Sequence, residues 1–175
     1  MNILVTGIAG YIGSIVQEMV IRENHKVFGI DDLRDGKKGA VMSEVEFYEN
    51  NFGNMELLDN LFSKNAIDIV IHLAATANVP DSVINPVNYY QNNVVNTYNL
   101  LLKMKQYNVN RIIFSSTAAV YGNPEYSPID EHHKLLPINP YGHTKLICEQ
   151  MIQDFSNAYE LDYLIFRYFC AAGAT

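Results

Sequence analysis

A doubly wound parallel α/β sheet is the fold this chain predicts, with six strands in the order 3-2-1-4-5-6 and helices on both faces. Three observations predict it. Short apolar runs alternate with segments of helical periodicity from end to end. A glycine-rich turn, Thr6-Gly7-Ile8-Ala9-Gly10-Tyr11-Ile12-Gly13, joins the first apolar run to the first helical segment. An aspartate, Asp31, closes the second run. Strands that alternate with helices specify a parallel sheet covered on both sides, and six strands complete a Rossmann-like wrap.

Asn2-Ile3-Leu4-Val5 is the first strand, and residues 11–21 follow at helical spacing. Gly7, Gly10 and Gly13 let the chain turn tightly, bring its backbone against a pyrophosphate and pack helix on strand. The helix start adds unpaired N–H groups and partial positive charge for the anion. The second strand, 26–30, leads into Asp31-Asp32. A carboxylate there accepts hydrogen bonds from adenosine ribose hydroxyls and repels a 2′-phosphate, so NAD is favoured over NADP. Arg34, Lys37 and Lys38 follow closely and offer charge to a phosphate. Further strands are expected at 44–48, 67–72, 111–115 and 162–167, with helices near 54–64, 86–107 and 140–159. Loops 76–86 and 121–140 follow the fourth and fifth strands, at the carboxyl edge where ligands bind in such sheets. The helix from Pro86 sets Val87, Tyr90, Val94, Thr97, Leu101 and Met104 toward the core. The last helix does so with Ile147, Met151, Ile152, Phe155 and Tyr159, and surplus apolar residues on both suit a dimer seam.

The chain has 175 residues, 49% of them hydrophobic, enough for one full core and one domain. Its net charge of -7 argues against nucleic acid as a partner. No apolar run approaches the roughly 20 residues that span a bilayer, and no secretory leader precedes the first strand. Cys148 and Cys170 are too isolated for a disulfide framework or a zinc knuckle. His132-His133 read as solvated loop residues rather than metal ligands. A cytoplasmic protein without a metal is the expectation.

Tyr141 and Lys145 form a Tyr-x-x-x-Lys pair on one face of the last helix, at the carboxyl edge. A tyrosine is a poor base at neutral pH, with a reference pKa of about 10. A nearby ammonium and a cationic nicotinamide favour the phenolate and bring that pKa down. The fifth strand runs into Ser115-Ser116-Thr117, whose hydroxyls emerge where nicotinamide and substrate meet. Thr117 is placed to share a proton with the base and hold a substrate oxygen. Ser115 and Ser116 suit either the site or their own backbone.

Seven blocks now stand in order: the glycine turn, Asp31-Asp32-Leu33, Ile71-His72-Leu73-Ala74-Ala75, Asn92-Asn93-Val94, the Ser115–Gly122 run, Tyr141/Lys145 and Arg167-Tyr168-Phe169. Together they resemble the extended short-chain dehydrogenase/reductase family, and within it the UDP-sugar 4-epimerases. Sugar-nucleotide dehydratases of that family carry an Asp-Glu pair where this chain has Ala118-Ala119, which points away from dehydration. The resemblance implies that Tyr141 takes the proton from a sugar 4-hydroxyl while NAD accepts hydride from C4. The 4-keto sugar turns over and hydride returns to its other face, interconverting UDP-glucose and UDP-galactose. Thr117 binds the 4-oxygen, and Lys145 tunes the base and grips the ribose. By the same correspondence Tyr11 and Ile12 meet the pyrophosphate. Asp31, Asp32, Leu33 and the loop through Gly36 hold the adenosine. Asn51, Phe52, Leu73, Ala74, Ala75, Ala77, Asn93, Ser115 and Phe169 line the rest of the cofactor site. A homodimer through the two late helices is also implied.

The chain departs from the family's pattern at four positions. Asn51 replaces an aspartate that binds adenine, Ala77 a lysine near the cofactor, Asn96 a glycine, and Cys170 an asparagine near the substrate. Relatives also carry a smaller C-terminal domain that closes over the UDP-sugar. Residues 1–175 read as the NAD-binding domain alone, so weak or absent epimerase turnover is expected unless a second polypeptide completes the site. The alternatives from other classes are an idle NAD-binding module and an NAD-dependent short-chain reductase.

Overall fold

The computed structural model describes residues 1–173. Six parallel strands form one sheet in the order β3-β2-β1-β4-β5-β6: β1 Asn2–Thr6, β2 Lys26–Asp31, β3 Glu46–Glu49, β4 Ile69–His72, β5 Arg111–Thr117 and β6 Asp162–Tyr168. This is the order the sequence predicts. Strand order reverses between β1 and β4, which opens a crevice above their carboxyl ends.

Leu4, Phe28, Ile30, Val70, Ile112 and Phe114 build the core on one face of the sheet. They pack against α2 (Met55–Lys64), α5 (Asn96–Gln106) and α6 (Pro140–Tyr159) through Leu58, Leu61, Leu101, Met104, Cys148 and Ile152. The alternate strand residues Ile3, Val5, Val27 and Ile71 meet α1 (Tyr11–Arg22) through Val16 and Val20 on the other face. Gly29 lies on that face against Ile8 and Val45, where a Cβ would fall 2.6 Å from the Ile8 side chain.

The expected helix over 86–107 is broken into three. α4 (Pro86–Tyr89) leads into a wide π-helical turn, Tyr90–Val95, before α5 begins. The wide turn shifts the helical phase, so the expected core stripe fails at its start. Val87 is 74% exposed and Tyr90 40%, whereas Tyr89, Asn92, Asn93 and Asn96 are buried. Thr97, Leu101 and Met104 lie after the shift and are buried as expected. On α6, Ile152 is buried, but Ile147 and Tyr159 face solvent. The loop expected at 76–86 contains a short helix, α3 (Val79–Ile84), whose Asn78 cap accepts from the Asp81 N–H at 3.2 Å.

His72 ends β4 and is fully buried between Thr6 and Thr97. Its Nδ1 lies 2.6 Å from the Thr6 hydroxyl and its Nε2 2.9 Å from that of Thr97, with the Phe52 and Phe114 rings against it. Burial, with the Lys145 charge adding to it, depresses its pKa from 6.5 to about 3. The unfolded chain therefore binds this proton before the folded one does. Stability is unaffected above pH 6.5 and falls below it, by about 1.4 kcal/mol per pH unit until the folded group titrates. Urea unfolding between pH 7 and pH 4.5 is expected to show this slope, and a His72→Asn chain a shallower one. Equal slopes in the two chains would remove His72 as the cause.

Candidate active site

Gly7 turns the chain out of β1 with φ at +75°, and its N–H donates to the Ile30 carbonyl at 2.8 Å. A Cβ on Gly7 would lie 2.7 Å from the Ala74 nitrogen, and one on Gly13 only 2.2 Å from the Gly7 oxygen. β1, α1 and the strand-four loop therefore meet backbone to backbone. α1 starts at Gly10 with no side chain capping it, which leaves its first-turn N–H groups for an anion. Asp31 closes β2 and fixes the loops around it: its Oδ2 accepts from the Ala9 N–H at 3.0 Å and its Oδ1 from the Leu33 N–H at 2.8 Å. Each oxygen keeps a lone pair for a ribose hydroxyl.

These elements form an open cleft lined by Gly7, Gly10, Asp31, Asp32, Gly36, Phe52, Leu73, Ala74 and Ala75 from the expected set. Arg34 and Asp35 line it from within the loop expected to hold the adenosine, and Ile30 and Asn92 line it without having been expected to. Asn92 was visible only as the neighbour of Asn93, and Arg34 only as a charge in the loop. The cleft fits a dinucleotide: backbone free of side chains at the turn, uncapped helix N–H groups, and a carboxylate at the adenosine end.

Other expected residues sit around the cleft rather than on its walls. Tyr11 and Ile12 begin α1, with Tyr11 half exposed and Ile12 partly so, and Gly13 is buried beneath the turn. Leu33 holds a left-handed φ of 57° beside Asp31. Asn51 is turned inward, its Oδ1 accepting from the Gly53 N–H at 2.8 Å and from Asn96 Nδ2 at 2.9 Å. Gly53 makes room for Asn96, since a Cβ there would meet it at 2.4 Å. Asn93 is spent on the fold: its Oδ1 accepts from the Thr76 N–H, and its Nδ2 donates to the Thr76 carbonyl and the Thr144 hydroxyl. Ala77 is exposed, and Phe169 is exposed while stacking on Tyr121.

Asn139 caps α6 by accepting from the Gly142 N–H at 2.8 Å, and Pro140 starts it. Tyr141 and Lys145 follow on one face, both buried. Lys145 Nζ donates to the Ser115 carbonyl at 2.6 Å and lies 4.7 Å above the Phe114 ring. Ser115 therefore serves through its backbone. Burial draws the Lys145 pKa down to about 8, against the nearby Cys148 and Glu149, so at neutral pH most of it stays charged. Burial raises the Tyr141 pKa above its ordinary 10, and only the Thr117 hydroxyl pulls it down. Burial outweighs the hydroxyl's pull, so the protein alone does not make the phenol acidic.

Ser116 does not satisfy its own backbone. Its hydroxyl donates to Glu149, a buried carboxylate one helical turn beyond Lys145. Arg167 of β6 completes the pair, Nη2 to Oε2 at 2.8 Å, and reaches the Tyr121 hydroxyl at 3.1 Å. His133 is buried rather than solvated: its Nε2 accepts from the Glu125 N–H at 2.9 Å, and the Tyr121 and Tyr126 rings pack on it. Among the described residues no cluster of His, Cys, Asp or Glu is arranged to hold a metal ion, and no helix is long and apolar enough to cross a membrane.

Residues 3–175 match the model of the NAD dependent epimerase/dehydratase family. A UDP-glucose 4-epimerase of Halalkalibacterium halodurans is 47% identical over 174 residues, covering 99% of this chain and 52% of that one. The crystal structure of UDP-glucose 4-epimerase from Brucella ovis in complex with NAD superimposes with a TM-score of 0.96 at 41% identity, covering 99% of this chain and 53% of that one. The UDP-glucose 4-epimerase of Thermotoga maritima, solved with UDP-glucose, gives a TM-score of 0.93 at 38% identity, covering 96% and 55%. The chain spans about half the length of the curated relatives it matches. With the glycine turn, Asp31 and the Tyr141/Lys145 pair all inside the matched region, the chain belongs to the NAD dependent epimerase/dehydratase family.

Proposed function

We propose that this chain holds NAD in the cleft and supplies the catalytic tyrosine of a UDP-sugar 4-epimerase, with UDP-glucose and UDP-galactose as the interconverted pair. The observation that carries the reading is the meeting of Tyr141, Thr117 and Lys145 at the carboxyl edge of a sheet whose glycine turn and Asp31 suit a dinucleotide. Bound in oxidised form, NAD supplies the hydride acceptor and a positive charge. Gly7, Gly10 and the start of α1 would take its pyrophosphate, Asp31 the adenosine ribose, and Lys145 the nicotinamide ribose. Tyr141 would take the proton from the sugar 4-hydroxyl and later return it, while Thr117 Oγ1 holds the 4-oxygen. Since burial keeps the Tyr141 proton on, the base becomes competent only beside a positive charge. That coupling protects against idle deprotonation before the cofactor is in place.

The exposed Tyr98 and Ile147 on α5 and α6 support a homodimer through those helices. The free Cys148 and Cys170 support a reducing, cytoplasmic setting, and the net charge of -7 supports a small-molecule partner over nucleic acid.

Calorimetric titration tests the reading in two steps. NAD is expected to bind the purified chain, and UDP or UDP-glucose to bind the NAD-loaded chain more weakly. Binding of NAD with no response to either uridine ligand would favour an idle nucleotide-binding module. Cofactor choice is tested at Asp31. An Asp31→Ala chain is expected to narrow the NAD-over-NADP preference roughly tenfold, about 1.4 kcal/mol, because the carboxylate facing a 2′-phosphate is gone. An unchanged ratio would take that discrimination away from Asp31.

A further inference from the structure

Arg34 lies in the loop after β2, at the mouth of the cleft. Its guanidinium reaches three acceptors on three separate segments. Nη2 donates to Asp32 Oδ2 at 2.6 Å, in the same loop, and to Asn92 Oδ1 at 3.2 Å, in the wide turn before α5. Nη1 donates to Thr76 Oγ1 at 2.9 Å, in the loop after β4. β2 and β4 flank β1 in the sheet, so one side chain ties together the two loops that wall the cleft above β1.

The far end of this tie is releasable. Asn92 Oδ1 receives three donors: Arg34 Nη2 at 3.2 Å, Asn51 Nδ2 at 3.3 Å and Asn96 Nδ2 at 3.2 Å. A carbonyl oxygen has two lone pairs, so Asn51 and Asn96 satisfy it when Arg34 leaves. Thr76 Oγ1 likewise keeps a donor in Asn92 Nδ2 at 3.1 Å. The near end is firmer: the short pair to Asp32 is reinforced by the Arg34 N–H, which donates to Asp32 Oδ1 at 3.2 Å. The side chain is therefore hinged at Asp32 and loosely latched at Asn92 and Thr76.

We propose that Arg34 is a clasp over the adenosine half of the dinucleotide: it swings off Asn92 and Thr76 to admit the ligand, then closes over it and slows its release. This rests on the reading of the cleft as a dinucleotide site. A planar guanidinium suits the task because it stacks on a purine face and still donates through its edge. An ammonium at the same place has no such plane and cannot bridge acceptors on two loops in fixed geometry. Asp31 and the glycine turn set how the dinucleotide lies, while Arg34 sets how long it stays.

The test compares NAD association and dissociation rates in the full chain, its Arg34→Met variant and its Arg34→Lys variant, by stopped-flow mixing and displacement. Arg34 is exposed, and matching thermal melts would establish that the variants are folded. Arg34→Met is expected to raise the dissociation rate at least tenfold and the association rate by a clearly smaller factor, since the free chain no longer has to unlatch, and Arg34→Lys to behave like Arg34→Met. A dissociation rate within twofold of the parent overturns the clasp. So does a rise in association that equals or exceeds the rise in dissociation, which marks Arg34 as an obstruction rather than a fastening. Failure of the parent chain to take up NAD is a separate result, read before any variant is compared, and it removes the dinucleotide reading along with the clasp.

Discussion

Replacing Glu149 by alanine is expected to cost about 3 kcal/mol of unfolding free energy, the low end of what breaking a buried ion pair does. Glu149 is 1% exposed and accepts from Arg167 and from the Ser116 hydroxyl. Its removal strands a largely buried guanidinium and a buried hydroxyl together. The side chain of Arg167 retains some access to water and keeps its bond to Tyr121, which limits the loss. Glu149→Gln keeps the shape and one acceptor oxygen, so about half of the loss is expected to return. Urea midpoints with unchanged m-values would read the difference. An alanine variant within 0.5 kcal/mol (about the scatter of surface substitutions) would mean that the pair does not hold α6 to β5 and β6. The consequence reaches the site, because the same network fixes the end of β5, from which Thr117 and the Ser115 carbonyl address Tyr141 and Lys145.

Gly13→Ala is expected to weaken NAD binding by on the order of 100-fold, about 2.7 kcal/mol, while the sheet survives. The new methyl would lie 2.2 Å from the Gly7 oxygen and 2.7 Å from Ile8 Cα. Both are backbone atoms, and no side chain rotation relieves the overlap. α1 must lift from β1, which moves the helix start away from the pyrophosphate position and adds an overpacking cost of about 1–3 kcal/mol to folding. Titration of NAD into folded Gly13→Ala chain checks it. Unchanged affinity would mean that the glycine turn is not the phosphate cradle.

The sheet was legible because its signals are local. Every strand but β3 (Glu46–Glu49) is built on a short apolar run, and the order follows from alternation with helices. Structure hidden from sequence depended on contacts between distant residues or on a change of helical period. α3 looked like loop because Asn78, Pro80 and Asn85 are turn residues, yet Asn78 and Pro80 also cap and start a helix. The wide turn at Tyr90–Val95 left no periodic mark, and it exposed Val87 and Tyr90 where a continuous helix would have buried them.

At the site, spacing marked the glycine turn and Asp31, and spacing together with place in the fold singled out the Tyr141/Lys145 pair. How deeply Tyr141 lies was not readable from either. The expected acidity drew on the ammonium and a cationic nicotinamide together, whereas in the protein alone burial of Tyr141 raises its pKa. Arg34 and Asn92, 58 residues apart, are joined only by the fold. Asn96, which departs from the family's glycine, is accommodated because Gly53 faces it and because its amide finds Asn51 and Asn92.

The most direct test of the account is the binding of NAD to the purified chain by calorimetry. Saturable uptake at one site per chain is expected in the micromolar range (about -8 kcal/mol), weakened about 100-fold in Gly13→Ala. A chain that stays folded and takes up no NAD at millimolar supply would contradict it.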